Sequence, residues 1–153
     1  MFREERLAGL DAVSRRYLAS YVLFNQALAD RLGLHPTDVQ CLNLLALEPE
    51  PLTTGRIAEL TGLTSGAATR LVDRLERAGY VRRRRDTADR RRVLVEPVSE
   101  GMREVTALWD DLGEGWRRLF DDYTDEELAL LERHMRRTVE LSRVQRERLR
   151  GEG

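Results

Sequence analysis

The stretch Leu52–Gly79 reads LTTGRIAELTGLTSGAATRLVDRLERAG, and its pattern of small, apolar and basic residues decides the fold. Thr53 is placed to cap a short helix that ends at Gly62, and Thr64 or Ser65 begins a second helix that ends at the final glycine. In the second helix apolar residues recur at helical spacing and predict one buried face: Ala68, Leu71, Val72 and Leu75. Two short helices joined by a glycine-containing turn are typical of a helix-turn-helix.

Two extended segments follow this pair of helices. Residues 80–85 (YVRRRR) and 92–98 (RVLVEPV) contain β-branched residues, and the polar connector 86–90 (DTADR) separates them. This arrangement predicts a β-hairpin with a charged tip, which acts as a wing beside the two helices. The expected fold class is therefore mainly α with a small β-hairpin wing, that is, a winged helix-turn-helix.

Positive charge is concentrated in residues 70–92, which are called the basic segment below. The segment contains ten arginines and four acidic residues, a net charge of +6, whereas the rest of the chain carries sixteen basic and twenty-three acidic residues, a net charge of −7. A positive element in a negative chain is typical of a protein that binds a polyanion through that element.

Amphipathic helices flank the helix-turn-helix on both sides. One apolar stripe predicts a long first helix over residues 4–31, and His35-Pro36 opens a second helix whose buried residues are Val39, Leu42, Leu45 and Ala46. Ser99 is expected to cap a further helix that runs to about Asp122, and a capping box at residues 124–127 announces the last one. We expect one unit over residues 1–153, in which 35–98 form the DNA-binding lobe and 1–34 with 99–153 form a helical lobe.

The composition excludes several classes of protein. Cys41 is the only cysteine among 153 residues, so the chain has no intramolecular disulfide and no cysteine-based zinc cluster. The N-terminal segment is interrupted by charges and no apolar run approaches ~18 residues, so we expect a cytoplasmic protein without a membrane partner. Nothing pairs a nucleophile with a base or spaces metal ligands, which predicts no enzymatic activity, no cofactor and no metal site.

The exposed face of the predicted recognition helix carries the candidate DNA contacts. Gly66 and Ala67 permit close approach to the major groove, and Thr64, Ser65 and Thr69 offer hydroxyls to phosphates or base edges. Arg70 lies one turn deeper, where a guanidinium can bind guanine through two hydrogen bonds. Arg74 and Arg77 are expected to contact backbone phosphates, although such arginines can also simply solvate a helix.

The sequence RLVDRLERAGYV at 70–81, followed by DTADRR at 86–91, resembles the MarR family of bacterial transcription regulators, and the similarity extends over nearly the whole chain. The resemblance implies that Asp89 orients Arg91, which inserts into the minor groove, with Arg90 between them. It also implies that the first and last helices, with part of the fifth, join two subunits into a homodimer. The apolar stripes of these helices, which a small domain cannot fully cover, independently favour that interpretation.

The resemblance further implies a small aromatic or phenolic effector bound in a cleft between the lobes. The residues that could line such a cleft are Tyr17, Tyr21, Phe24, His35 and Trp109, for which ordinary core packing is the alternative. Where many relatives have Thr-Pro the chain has His35-Pro36, and Met102 stands where glycine is common. Cys41 is interpreted as a buried structural thiol rather than a redox switch, since reactivity requires an accessible, electropositive environment.

These observations lead to the hypothesis of a sequence-specific transcriptional regulator that binds double-stranded DNA. In this hypothesis it is a ligand-responsive repressor, and it binds an inverted-repeat operator as a homodimer. The sequence leaves activator against repressor open. The alternative from a different class is a winged-helix protein-interaction scaffold that does not bind an operator.

Overall fold

The computed structural model describes residues 2–151 and is mainly helical, with a small antiparallel sheet. The elements of these residues, in chain order, are α1 (Phe2–Leu32), α2 (Pro36–Leu47), β1 (Leu52–Thr53), α3 (Thr54–Thr61), α4 (Ser65–Arg77), β2 (Val81–Arg85), β3 (Val93–Pro97), α5 (Arg103–Arg118) and α6 (Asp125–Leu149). The predicted fold class is confirmed, because α3, α4 and the β2–β3 hairpin form a winged helix-turn-helix between terminal helices.

The described residues divide into two compact units, which comprise residues 2–106 and 107–151. The first unit contains α1 to β3 with the start of α5, and the second contains the rest of α5 with α6. The division into lobes at residues 34/35 and 98/99 stays a prediction.

The core of the first unit lies between the faces of its helices and the sheet. Its fully or nearly fully buried members include Leu28, Ala29, Val39, Leu42, Leu45, Ile57, Leu71, Leu75, Val81, Val95, Met102 and Val105. The buried face predicted for the recognition helix is confirmed, since Ala68, Leu71, Val72 and Leu75 are all buried. In α2 the prediction was wrong for Ala46, which is exposed one residue before the helix ends.

The sheet has three strands in the order β1-β3-β2, so β3 is central. β2 and β3 form the predicted hairpin, in which Arg82 pairs with Glu96. β1 pairs antiparallel with β3, with Leu52 opposite Val95, and this strand was not predicted. Two residues are too few to show the alternating pattern that identifies a strand.

The start of α5 differs from the prediction, because the helix begins at Arg103 rather than after Ser99. Residues 99–102 form a turn in which the Met102 N–H donates to the Val98 carbonyl at 2.9 Å. Gly101 packs so closely on the end of α4 that a Cβ there would lie 1.8 Å from the Gly79 carbonyl oxygen. Likewise, α5 ends at Arg118 rather than near Asp122.

Candidate nucleic-acid interface

The recognition helix α4 begins where the sequence predicts. The Thr64 Oγ1 accepts a hydrogen bond from the Ala67 N–H at 3.3 Å and so caps the helix N-terminus. Burial of one face of the helix leaves Ser65, Gly66, Thr69, Arg70 and Arg77 exposed on the other side, with Ala67 half-buried. This exposed face starts with small residues and continues with arginines.

The two threonine hydroxyls of α4 are engaged in different ways. Thr64 uses its oxygen as the cap acceptor, so its hydroxyl hydrogen can still be donated to a phosphate. Thr69 donates its hydroxyl hydrogen to the Ser65 carbonyl at 2.9 Å. As long as that bond persists, the Thr69 oxygen can accept a hydrogen bond but has no hydrogen left to donate. A hydroxyl acceptor suits a base amino group better than a phosphate.

Arg70 lies beside the first turn of α4. One of its terminal nitrogens is 3.6 Å from the position that a Cβ of Gly66 would occupy. The absence of a side chain at Gly66 therefore leaves the guanidinium next to the small residues at the helix N-terminus.

Two aspartates shape the tip of the wing. The Asp86 Oδ1 accepts a hydrogen bond from the Ala88 N–H at 2.9 Å, and the Asp89 Oδ1 accepts one from the Arg91 N–H at 3.0 Å. Side-chain to backbone bonds two residues apart fix a turn. Asp89 thus acts on the backbone of Arg91, and the exposed side chain of Arg91 extends from a constrained loop.

The ten arginines of the basic segment fall into two groups. Arg74, Arg82, Arg83, Arg84 and Arg92 form ion pairs with carboxylates of the chain. Among the residues that the structure describes, the other five have no carboxylate within ion-pair distance and are exposed: Arg70, Arg77, Arg85, Arg90 and Arg91. These five unpaired guanidiniums lie on α4, at the end of β2 and at the wing tip.

Arg83 joins the wing to the recognition helix. Its guanidinium lies 2.6 Å from Glu76 and 2.7 Å from Asp73, and its backbone N–H donates to Glu76 at 3.0 Å. The hydrogen bonds from Arg83 lower the pKa of Glu76. Sequence patterns alone did not identify this contact, because they do not show which acid faces which arginine.

Arg74 is held by Asp38 of α2 and not by a neighbour in α4. The Arg74 Nη2 and Nε lie 2.6 Å and 3.3 Å from the two Asp38 oxygens. The hydrogen bond to Asp38 raises the pKa of Arg74, which stays charged. Sequence analysis missed Asp38; its place in the first turn of α2 signals a capping role but not this partner. The phosphate contact expected for Arg74 stays a prediction.

The residues expected to bind an effector occupy different settings. The Tyr17 and Tyr21 rings form a T-shaped pair with centroids 5.1 Å apart, and a hydrogen bond with Tyr17 raises the pKa of Tyr21. Phe24 packs against the core cluster of Leu28, Ala29 and Val39, while His35 is exposed before α2. Trp109 belongs to the second unit, where its Nε1 is buried and has no hydrogen-bond partner among the described residues.

Cys41 is buried in α2. Burial, together with the charge of Asp38, raises the pKa of the thiol to about 12, so it stays protonated near neutral pH. Over residues 2–151, no three His, Cys, Asp or Glu side chains come close enough to hold a metal ion. In the same part of the chain, no helix combines the length and the hydropathy needed to span a membrane.

This chain is similar to known proteins in both sequence and fold. The family model described as MarR family matches residues 32–92. YcgE, an uncharacterized HTH-type transcriptional regulator of Bacillus subtilis (strain 168), is 41% identical over 128 residues, which cover 84% of this chain and 82% of that protein. BldR of Sulfolobus solfataricus, a transcriptional regulator of solved structure, is 29% identical with a TM-score of 0.60, covering 87% of this chain and 96% of that chain.

A further solved structure contains nucleic acid. It is a mutant of MepR from S. aureus bound to an oligodeoxyribonucleotide, with 20% identity and a TM-score of 0.58, and covers 86% of this chain and 96% of that chain. At this identity the likeness concerns the fold.

The helix-turn-helix, the wing and the terminal helices define a winged helix-turn-helix regulator of transcription. The chain belongs to the MarR family of DNA-binding transcriptional regulators. The relatives YcgE and BldR are both described as transcriptional regulators.

Proposed function

We propose that this protein is a cytoplasmic repressor that binds an inverted-repeat operator as a homodimer and releases it when a small aromatic or phenolic effector binds. The observation that carries the proposal is the location of the five arginines of the basic segment that are unpaired among the described residues: four of them lie on α4 and at the wing tip. In a winged helix-turn-helix these are the two elements that enter the grooves of DNA.

Major-groove recognition is assigned to the N-terminal half of α4. Gly66 and Ala67 let the helix approach the base edges, and Arg70 binds a guanine through two hydrogen bonds. Thr64 and Ser65 contact phosphates, Thr69 accepts from a base, and Arg77 contacts the backbone near the C-terminus of the helix. Support for these roles comes from the exposure of all but Ala67 and from the free hydroxyl hydrogen of Thr64.

Minor-groove recognition is assigned to the wing tip. Arg90 and Arg91 are exposed and unpaired in the part of the chain that the structure describes, and Asp89 constrains the loop from which Arg91 extends. A constrained loop loses little entropy when it binds. An arginine presented in this way favours a narrow minor groove, whose negative potential is high.

The homodimer is proposed because α1 and α6 expose apolar side chains along much of their length. The exposed members include Leu7, Leu10, Tyr17, Leu18, Val22, Leu23, Leu130, Met135, Val139 and Leu141. Within the second unit, Phe120, Leu128, Leu131, Met135 and Val139 also line an open groove of about 660 Å³. Monomers rarely leave large apolar faces exposed, and a two-fold interface between copies would cover the faces of these helices.

The last step of the proposal is the release of DNA when an effector binds. In the first unit, the paired rings of Tyr17 and Tyr21 could pack on an aromatic effector. In the second unit, the Trp109 Nε1, which has no hydrogen-bond partner among the described residues, could donate to a phenolic oxygen. A screen of phenolic acids by thermal shift tests this step. A ligand that raises the melting temperature and lowers operator affinity supports it.

Binding to duplex DNA at several salt concentrations tests the function as a whole. Fragments of the source genome that the protein retains identify the operator, and fluorescence anisotropy then measures its affinity. We expect log affinity to fall linearly with log salt at a slope of about −0.9 for each phosphate contacted. A protein that binds no duplex, or binds all duplexes equally, contradicts operator binding and favours an interaction scaffold.

A further inference from the structure

Asp38 carries a charged side chain in the interior of the first unit. Among residues 2–151 it is the one charged residue that is buried, with 2% of its side chain exposed. It lies in the first turn of α2, where one carboxylate oxygen accepts from the His35 N–H at 3.3 Å. Both oxygens also bind the Arg74 guanidinium of α4, through contacts of 2.6 Å and 3.3 Å.

A hydrogen bond joins the same turn of α2 to α1. The Asn25 side-chain amide donates to the Pro36 carbonyl at 2.9 Å, in a partly buried contact. Asn25 lies between Phe24, which packs on the core cluster, and the buried residues Leu28 and Ala29. The first turn of α2 is therefore bonded to α1 through Asn25 and to the recognition helix through Arg74.

Breaking the ion pair between Arg74 and Asp38 is energetically unfavourable. Removing the guanidinium leaves a carboxylate that is almost fully buried and has lost its charged partner, which is strongly unfavourable. A new contact with a phosphate would not restore a partner to that carboxylate, which is only 2% exposed. Two of the three guanidinium nitrogens of Arg74 are therefore held by Asp38, although 40% of the side chain is exposed.

We infer that Arg74 is a positioning residue and not a phosphate contact, and that the Asn25–Pro36 and Asp38–Arg74 bonds couple α1 to the orientation of the recognition helix. The inference rests on the proposed DNA binding. It gives the first turn of α2 a defined part in that binding: a displacement of α1 changes how α4 enters the major groove.

Lysine substitutions separate a positioning role from a phosphate contact. Lysine keeps the charge for a phosphate but cannot reproduce the two-nitrogen contact with a carboxylate. For Arg74→Lys we expect operator affinity to fall about tenfold with the salt slope unchanged. Arg77→Lys is the comparison variant, since Arg77 is exposed and unpaired among the described residues and is proposed to contact a phosphate. Because lysine keeps the charge for such a contact, its loss of affinity should be clearly smaller than that of Arg74→Lys.

Alanine substitutions supply the opposite readout. Arg77→Ala should reduce the salt slope by about one for each subunit, whereas Arg74→Ala should weaken binding without changing the slope. Circular dichroism and thermal melting establish that each variant is folded, and Arg74→Lys replaces Arg74→Ala if the latter is not. The inference is overturned if Arg74→Lys binds like wild type, or if Arg74→Ala lowers the slope as Arg77→Ala does.

A double-mutant cycle tests the coupling to α1. Asn25→Ala should weaken operator binding by about threefold or more alone, but by less than about twofold when Arg74 is already lysine, because both act through the same turn. Gln26→Ala is the control, since among residues 2–151 the exposed Gln26 side chain bonds to Asp30 of the same helix and to no residue of α2. Its effect should be small and independent of Arg74. If Asn25→Ala leaves affinity unchanged, or multiplies with Arg74→Lys, the coupling is wrong.

DNA binding by the wild type distinguishes failure of the proposed function from failure of the inference. If the wild-type protein binds no duplex, the proposed function fails and the inference fails with it. If the wild type binds an operator and the Arg74 and Arg77 variants behave alike, only the inference fails.

Discussion

At the scale of single residues, the partner of each arginine separates the candidate DNA contacts from the structural ones. Half of the arginines in the basic segment neutralise carboxylates of the protein, so the net charge of +6 overstates what is free to bind phosphates. Five arginines have no carboxylate partner among the described residues. They lie on α4, at the end of β2 and at the wing tip: Arg70, Arg77, Arg85, Arg90 and Arg91.

Alanine substitutions at Arg70 and Arg91 should have different effects on DNA binding. Arg70→Ala removes a base contact, so we expect a loss of about 1–3 kcal/mol for the preferred sequence and relaxed preference at one position in each half-site. Arg91→Ala should weaken binding more evenly across sequences. Binding to a library of operator variants measures both. If both proteins bind as wild type does, the assignment of these residues is wrong.

Gly101 is required for a close backbone approach. A Cβ at this position would lie 1.8 Å from the Gly79 oxygen and 2.7 Å from the Gly79 carbonyl carbon, and neither backbone atom can rotate away. We expect Gly101→Ala to lower the free energy of unfolding by about 1–3 kcal/mol, the usual cost of overpacking. Urea unfolding measures the change.

Gly115→Ala is the matched control for that substitution. Gly115 is exposed within α5, and no atom lies within 4 Å of its hypothetical Cβ. Alanine there should stabilise the protein by up to about 1 kcal/mol through helix propensity. An equal effect of both substitutions would contradict the close approach at Gly101.

At the scale of elements, the ion pairs of Arg83 join the wing to the recognition helix. It connects the third residue of β2 with two acids one turn apart on α4. The angle between helix and wing, which sets whether both can enter adjacent grooves, therefore depends on side-chain ion pairs as well as on the chain connection at Gly79 and Tyr80.

The pairing of Glu76 with Arg83 should give the protein a component of stability that is lost in acid. The pKa of Glu76 is lowered in the folded state, so its contribution is present above the ordinary value of 4.5 and disappears as pH falls through the lowered value. Glu76→Gln should therefore be less stable than wild type at neutral pH, and the difference should shrink as the pH falls below the ordinary value of 4.5 and through the lowered pKa. Unfolding at each pH measures it, and a difference independent of pH would contradict the ion pair.

Local signals in the sequence account for most of the elements. Thr53, Thr64 and Thr124 cap helices as the sequence indicates, because a cap depends only on residues two or three positions away. Gly33, Gly62 and Gly79 have positive φ at helix ends for the same local reason. β1 was missed because its pairing with β3 is a long-range event that a two-residue segment does not encode.

At the scale of the whole molecule, the terminal helices of a single chain leave apolar side chains exposed to solvent. Tyr17, Leu18 and Val22 of α1, and Val139 of α6, are exposed although they are large and apolar. Their exposure has a physical reason if a second copy covers them, and it would be an aggregation hazard otherwise.

Val139→Glu should weaken the proposed homodimer. Val139 is 72% exposed and belongs to the apolar groove along α6, so a buried carboxylate at the interface would be costly. We expect a shift from dimer to monomer in light scattering after gel filtration, with a parallel loss of operator affinity. Arg137→Gln is the control, because it makes the same change in net charge at an exposed position two residues away. A monomeric wild type, or a Val139→Glu variant that remains dimeric, contradicts this interface.

The amino-acid sequence by itself determined the order and type of the helices, the wing and the concentration of positive charge, because periodicity, caps and glycine stops act over a few residues. Only the tertiary structure decided which arginines are free, since Asp38 and Arg74 are 36 residues apart and meet only when α2 packs beside α4. The same holds for Arg83 between β2 and α4, and for Gly101 against Gly79. Local order follows from neighbouring residues, whereas the pairing of charges requires elements that folding alone brings together.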